Sequence, residues 1–121
     1  MIEILADIHE RASGVAERLR LLGWAVQERL LESGDYVMGG AIVGVERKTT
    51  GDFAASLTRG RLFPQLAQLR QTVERPLLII EGSHAALDRL HPNAVKGALV
   101  SINTNALILE PLCVCIICAT P

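Results

Sequence analysis

The stretch GDYVMGGAIVGVERK, residues 34–48, decides how the middle of this chain folds. Two short apolar runs lie on either side of the pair Gly39-Gly40. Alternating apolar runs separated by two glycines are typical of an antiparallel hairpin with a two-residue turn. With that turn, Asp35 is predicted to lie directly opposite Gly44.

Side chains alternate between the two faces of a strand, so Gly44, Glu46 and Lys48 are predicted to share one face with Asp35. Asp35 and Glu46 then become diagonal neighbours at roughly 7–8 Å, close enough for both carboxylates to bind one divalent cation. Gly44 between them is expected to leave room for the ion. Lys48 can orient or deprotonate an attacking water, or offset charge on a phosphorane. The pattern therefore predicts metal-dependent hydrolysis of a phosphodiester.

Other charged residues near this hairpin have weaker support. Arg47 projects from the opposite face by the same alternation, so its backbone carbonyl is the better further metal ligand, and its guanidinium is expected to be structural or to contact phosphate. Asp7 and Glu10 follow the first predicted strand and are secondary candidates for a metal or water contact, although acids at strand ends commonly cap helices. Taken separately, Asp35 is interpreted as an ordinary turn residue and Glu46–Lys48 as a solvated strand end. Their combination favours a site.

The rest of the chain alternates strand and helix patterns, which predicts one α/β domain over residues 1–121 with a central mixed sheet flanked by helices. Further strands are predicted at residues 2–6, 25–31, 77–80, 107–109 and 114–118. Helices are predicted near residues 15–22, 49–57, 62–72, 84–90 and 92–102, with Pro76 ending a helical region.

Composition narrows the function classes. Half of the residues are apolar, but no apolar run is long enough to span a membrane and no signal-like segment begins the chain, so we expect a soluble intracellular protein, cytoplasmic or, in a eukaryote, nuclear. The formal charge of −1 argues against a generic polyanion binder. Residues 47–75 nevertheless hold six of the 12 basic residues and two of the 13 acidic ones, which favours local contact with nucleic acid. The three cysteines, within residues 113–118, are interpreted as buried strand thiols rather than a zinc site.

Several motifs in order resemble the nuclease domain of XPF-type (XPF/Hef) structure-specific endonucleases, of the restriction-endonuclease-like PD-(D/E)XK superfamily. They are GDY at residues 34–36, V-E-R-K-x-x-x-D at 45–52, G-R-L-x-x-Q at 60–65 and IEG at 80–82. The resemblance implies a restriction-endonuclease-like core, a Mg²⁺ or Mn²⁺ ion, cleavage of branched DNA near a single-strand/duplex junction, and a homodimer. It places metal ligands at Asp35 and Glu46, the base or charge-stabilising role at Lys48, and the motif arginine at Arg47.

The same resemblance extends to residues outside the hairpin. The family's Asp-x-Arg-Glu element is matched by Asp7 and Glu10, but His9 stands where arginine is expected. Arg61 and Gln65 resemble a polar pair near the active site that could meet a phosphate, and Arg59 is a further phosphate candidate.

Two expectations concern the extent of the domain and the rival functions. Nothing in the chain matches the family's tandem helix-hairpin-helix module or the helix after its final strand, so a single nuclease domain is expected. A non-catalytic DNA-binding or dimerisation module of the same fold, and a junction resolvase-like nuclease, remain the alternatives.

Overall fold

Six strands form one mixed sheet in the computed structural model, which describes residues 2–104 and 113–118. The strands are β1 Glu3–Asp7, β2 Ala25–Arg29, β3 Tyr36–Met38, β4 Val43–Thr49, β5 Arg75–Gly82 and β6 Cys113–Cys118. They lie in the order β2-β1-β3-β4-β5-β6. The pairs β1–β2, β4–β5 and β5–β6 are parallel, and β3 is antiparallel to both of its neighbours. The carboxyl ends of β1, β4 and β5 therefore meet at one edge of the sheet.

Four α-helices connect these strands: α1 Val15–Leu21, α2 Thr50–Thr58, α3 Leu62–Thr72 and α4 Pro92–Thr104. Helix α2 follows β4 without a loop, because the Thr49 hydroxyl accepts a hydrogen bond from the Asp52 N–H at 3.0 Å and caps the first turn. Within the described part of the chain, no helix has the length and apolar character needed to cross a membrane.

Apolar residues cover both faces of the sheet. One core lies beneath α1 and contains Ile4, Ala6, Ala16, Tyr36 and Val45. The other lies beneath α2, α3 and α4 and contains Phe53, Leu62, Leu66, Leu78, Ile80, Ala98 and Ile102. The predicted α/β fold, a mixed sheet flanked by helices, is confirmed.

Two predicted boundaries were wrong. The expected helix over residues 84–90 is only a 3-10 turn, His84–Ala86, since Pro92 begins α4 shortly afterwards. Pro76 lies inside β5, one residue after its start, and so does not mark the end of the helical region. The strand predicted at residues 107–109 lies outside the described residues.

The prediction of a two-residue turn in the hairpin was also wrong. Tyr36 pairs with Val45 and Met38 with Val43, so residues 39–42 form a longer connection. Its backbone has positive φ at Gly39, Gly40 and also Ala41, where φ is 72°. Residue 42 is unavailable to β3 because its carbonyl accepts the Arg75 N–H at 2.7 Å, at the start of β5. The register of residues 36–38 is shifted by two, and a shift of two keeps these side chains on their predicted faces.

Gly44 does not leave room for an ion, contrary to the expectation. A Cβ atom there would lie 2.7 Å from Val73 Cγ1 and 3.1 Å from Leu69 Cδ1. These side chains lie at the end of α3 and cover this part of β4. The glycine therefore permits close packing of helix on sheet.

Candidate active site

The site is built where β1, β3 and β4 meet. The Asp35 N–H donates to the Val45 carbonyl at 2.7 Å, and the Asp7 N–H donates to the Asp35 carbonyl at 2.8 Å. The bond with Asp7 continues the β1–β3 register, whereas the bond with Val45 reaches the residue that is already paired with Tyr36. The β3–β4 pairing ends at Tyr36 with Val45, so Asp35 lies beside residues 45–47 of β4 and not opposite Gly44 as predicted.

Asp35, Glu46 and Lys48 lie together, with few polar partners among the described residues. One Asp35 carboxylate oxygen accepts the Arg47 backbone N–H at 2.7 Å. The Lys48 ammonium lies 3.7 Å from a Glu46 carboxylate oxygen, and the Lys48 side chain is 8% exposed. Two acids and one buried amine therefore share a partly desolvated space.

This environment disfavours negative charge on both acids. Burial raises the pKa of Asp35 to about 6, with the charges of Glu10 and Asp7 adding to the rise and the Arg47 N–H and Lys48 opposing it. Burial and the charge of Asp35 raise the pKa of Glu46 to about 7, against the opposing effect of Lys48. Near neutral pH the two carboxylates therefore repel each other, and the positive charge near them does not compensate both.

A divalent cation fits this donor set, since two adjacent carboxylates with raised pKa values supply hard oxygen ligands and excess negative charge. Within the described residues no group of three or more His, Cys, Asp or Glu side chains is arranged to hold a metal. Further ligands could come from backbone oxygens, such as the Arg47 carbonyl, and from water or substrate oxygens.

Asp7 lies at the end of β1 in a different environment. One carboxylate oxygen accepts the Leu31 N–H at 2.9 Å, and the other accepts the His9 N–H at 3.1 Å and lies 2.7 Å from His9 Nδ1. Burial opposes ionisation, but these hydrogen bonds prevail and the pKa of Asp7 is lowered. Both oxygens are in use and the acid caps the turn Ile8–Ser13, so its role as a third metal ligand stays a prediction.

The opposite face of β4 holds an ion-paired cluster that we call the arginine cluster: Arg47, Glu10, Glu81 and Tyr36. The Arg47 guanidinium lies 3.5 Å from a Glu10 carboxylate oxygen and forms a closer ion pair with Glu81. Glu10 also accepts the Tyr36 hydroxyl at 2.6 Å. Burial and this hydrogen bond raise the pKa of Tyr36. The cluster joins the ends of β4 and β5 to the segment after β1, directly behind the candidate site.

Sequence reasoning missed Glu81 as part of this cluster. It noted the IEG motif at residues 80–82, but only the parallel register, with Glu81 beside Thr49, brings this acid onto the face of Arg47. Glu10 contacts Arg47 and Tyr36, and its role in a metal or water contact stays a prediction. The expectation that the Arg47 guanidinium faces away from Glu46 agrees with the structure.

The three predicted DNA-contacting residues lie at the surface between α2 and α3. Arg59 ends α2, Arg61 precedes α3 and Gln65 lies in its first turn, and all three side chains are exposed. Their predicted role is untested by this geometry.

The sheet order and the helices on both faces are those of a restriction-endonuclease-like core. The sequence matches the ERCC4 domain over residues 6–109, and the chain belongs to this family of XPF-type nuclease domains.

Two relatives and one solved protein illustrate the similarity. A Methanocaldococcus jannaschii protein named as an ATP-dependent RNA helicase is 45% identical over 101 residues, which are 84% of this chain and 12% of that protein. The 3'-flap repair endonuclease Xpf of Saccharolobus solfataricus is 35% identical over 103 residues, 84% of this chain and 44% of the relative. This chain therefore spans less than half of each.

The solved structure of XPF from Aeropyrum pernix superimposes with a TM-score of 0.83 at 29% identity, covering 96% of this chain and 53% of that one. The structure of that protein in complex with DNA gives a TM-score of 0.77 at 27% identity, covering 99% of this chain and 57% of the other. The resemblance to XPF-type nuclease domains is confirmed.

Proposed function

We propose that this domain is a metal-dependent endonuclease that hydrolyses phosphodiester bonds in branched DNA. The observation that carries the proposal is the pair Asp35 and Glu46, two neighbouring carboxyl groups with raised pKa values beside the buried Lys48. Two neighbouring buried carboxylates lower the stability of the folded protein when no cation is bound. Such a pair is typical of a site that binds a cation.

Each of the three residues has a role in this proposal. Asp35 and Glu46 would hold Mg²⁺ or Mn²⁺, with Asp35 oriented by the Arg47 N–H that it accepts. Lys48 would orient the attacking water or stabilise charge on the phosphate, because its ammonium is held on the same face as Glu46. The bound ion supplies Lewis-acid activation of the phosphate.

The relatives support the proposed substrate class. One relative is named a 3'-flap repair endonuclease and one similar structure contains DNA, which supports branched DNA as the substrate. Arg59, Arg61 and Gln65 are proposed to contact its backbone. We also propose a homodimer, in one domain over residues 1–121, and an intracellular location, as expected for a DNA nuclease.

The test is cleavage of labelled fork, flap, four-way junction and plain duplex DNA with Mg²⁺, Mn²⁺ or chelator. We expect metal-dependent cleavage of fork or flap DNA, and loss of that cleavage in Glu46→Gln. The matched control is Glu74→Gln, which makes the same chemical change at an exposed position and should leave cleavage unchanged.

The rival functions give different results. DNA binding without cleavage in either metal would support a non-catalytic module and overturn the proposal. Preferential cleavage of the four-way junction would indicate a resolvase-like nuclease. Equal activity in Glu46→Gln and Glu74→Gln would remove the site from the mechanism.

A further inference from the structure

A groove on the surface of α2 has none of the candidate-site acids among its lining residues. One wall is a face of α2 made of Gly51, Ala54, Ala55 and Thr58, and the other is formed by Ala86, Arg89 and Leu90. Arg59 completes the lining at the end of α2, and the cavity volume is about 290 Å³. Side chains of small volume on the helix wall keep the groove open.

The groove is positively charged. Arg59 and Arg89 line it, and in the described part of the chain neither guanidinium forms an ion pair. The neighbouring acids, Asp52 and Asp88, are exposed and are not among its lining residues. Two cations in an open groove without a lining acid favour an anionic ligand.

The groove begins close to the candidate site. Gly51 lies three residues after Lys48, and from Gly51 to Thr58 the helix rises by about 10 Å. Phosphates of one DNA strand are spaced along a duplex axis by about 3.4 Å per nucleotide. A strand whose scissile phosphate lies at Lys48 could therefore extend along this helix toward both arginines.

We infer that the groove between α2 and residues 86–90 binds the sugar-phosphate backbone of the DNA strand next to the cleavage point, with Arg59 and Arg89 contacting phosphates. The choice of DNA as the ligand rests on the proposed function. Arginine pairs bidentately with phosphate, and the apolar wall suits the sugar carbons. Such contacts position a strand without reading its sequence.

The test is binding of labelled fork DNA in chelator, measured by fluorescence anisotropy over a range of salt concentrations. We expect Arg59→Gln and Arg89→Gln each to weaken binding about 3- to 10-fold and to reduce the slope of log affinity against log salt by about 0.7 to 0.9. The double variant should show the sum of both changes in slope. The matched control is Arg18→Gln, which removes one exposed charge from α1 on the other face of the sheet.

The outcomes separate this inference from the proposed function. If wild-type protein binds DNA but both groove variants behave like Arg18→Gln, the groove inference is wrong while the nuclease proposal stands. If the groove variants weaken binding but wild-type protein cleaves nothing with Mg²⁺ or Mn²⁺, the groove inference stands and the nuclease proposal fails. No DNA binding by wild-type protein overturns the groove inference. Loss of a homodimer in the variants, without loss of binding per subunit, would assign the groove to subunit contact instead.

Discussion

The two faces of β4 treat charge in opposite ways. On one face, Asp35 and Glu46 are only partly balanced by Lys48, and their pKa values rise to about 6 and about 7. On the other face, Arg47 is ion-paired with both Glu10 and Glu81. Glu46 and Arg47 are consecutive residues of one strand, so burial alone does not explain why charge is compensated on one face and not on the other. The ion pairs of Arg47 hold the strand ends in place. The carboxylates of Asp35 and Glu46 keep negative charge that a cation can neutralise.

The largest expected effect comes from Asp35→Asn. This nearly isosteric change should lower cleavage of fork or flap DNA on the order of 1000-fold or more. It should also raise the melting temperature of metal-free protein by a few degrees, because repulsion with Glu46 disappears while the amide oxygen can still accept the Arg47 N–H. Activity assays and thermal melts in chelator measure the two changes. A loss of both activity and stability would assign Asp35 a structural role.

Disruption of the arginine cluster should lower the stability of the fold, whereas Asp35→Asn should raise it. Glu81→Gln leaves the Arg47 guanidinium, which is 21% exposed, with less compensating charge, and should destabilise the fold by about 1–2 kcal/mol. Cleavage should fall only several-fold, because Asp35 and Glu46 are retained. Denaturant unfolding and kcat measured on the same samples test this prediction. Unchanged stability would show that the cluster does not hold the strand ends.

The pH dependence of the stability of metal-free protein should reveal the uncompensated charge of Asp35 and Glu46. Both carboxyl pKa values are raised in the folded state, so ionisation costs folded protein more than unfolded protein. The free energy of unfolding should therefore fall between about pH 4 and pH 7, on the order of 2 kcal/mol or more, and level off above the folded pKa values. In the double variant Asp35→Asn/Glu46→Gln this decrease should be much smaller. Melts in chelator at several pH values provide the measurement, and an equal decrease in the double variant would contradict the account.

The change with the smallest expected effect on metal binding concerns packing on the same face of β4 as Glu46. Gly44→Ala would place a methyl group 2.7 Å from Val73 Cγ1, and should destabilise the protein by about 1–3 kcal/mol with little direct effect on metal binding. Gly97→Ala in α4, where a Cβ meets no described atom within 4 Å, should instead be neutral or stabilising by up to about 1 kcal/mol. Equal effects of both changes, measured by chemical unfolding, would argue against close packing at Gly44.

Strand alternation has a period of two, and on that basis the sequence predicted that Glu46 and Lys48 share a face, as their 3.7 Å contact confirms. The turn was assigned two residues too short, and the error left the faces unchanged. What sequence reasoning missed depends on contacts between distant segments. The Ile42 carbonyl is bound by Arg75, α3 covers Gly44, and the parallel register of β5 brings Glu81 to Arg47. No local pattern in residues 34–48 contains these partners.

Calorimetric titration of Mn²⁺ into metal-free protein at pH 6.5, repeated in two buffers of different ionisation enthalpy, tests the central claim most directly. The account predicts binding at a single site with release of protons, since the cation must displace protons from acids with raised pKa values, and loss of that binding in Glu46→Gln but not in Glu74→Gln. Binding that is unaffected by Glu46→Gln, or no binding at millimolar Mn²⁺, would contradict it.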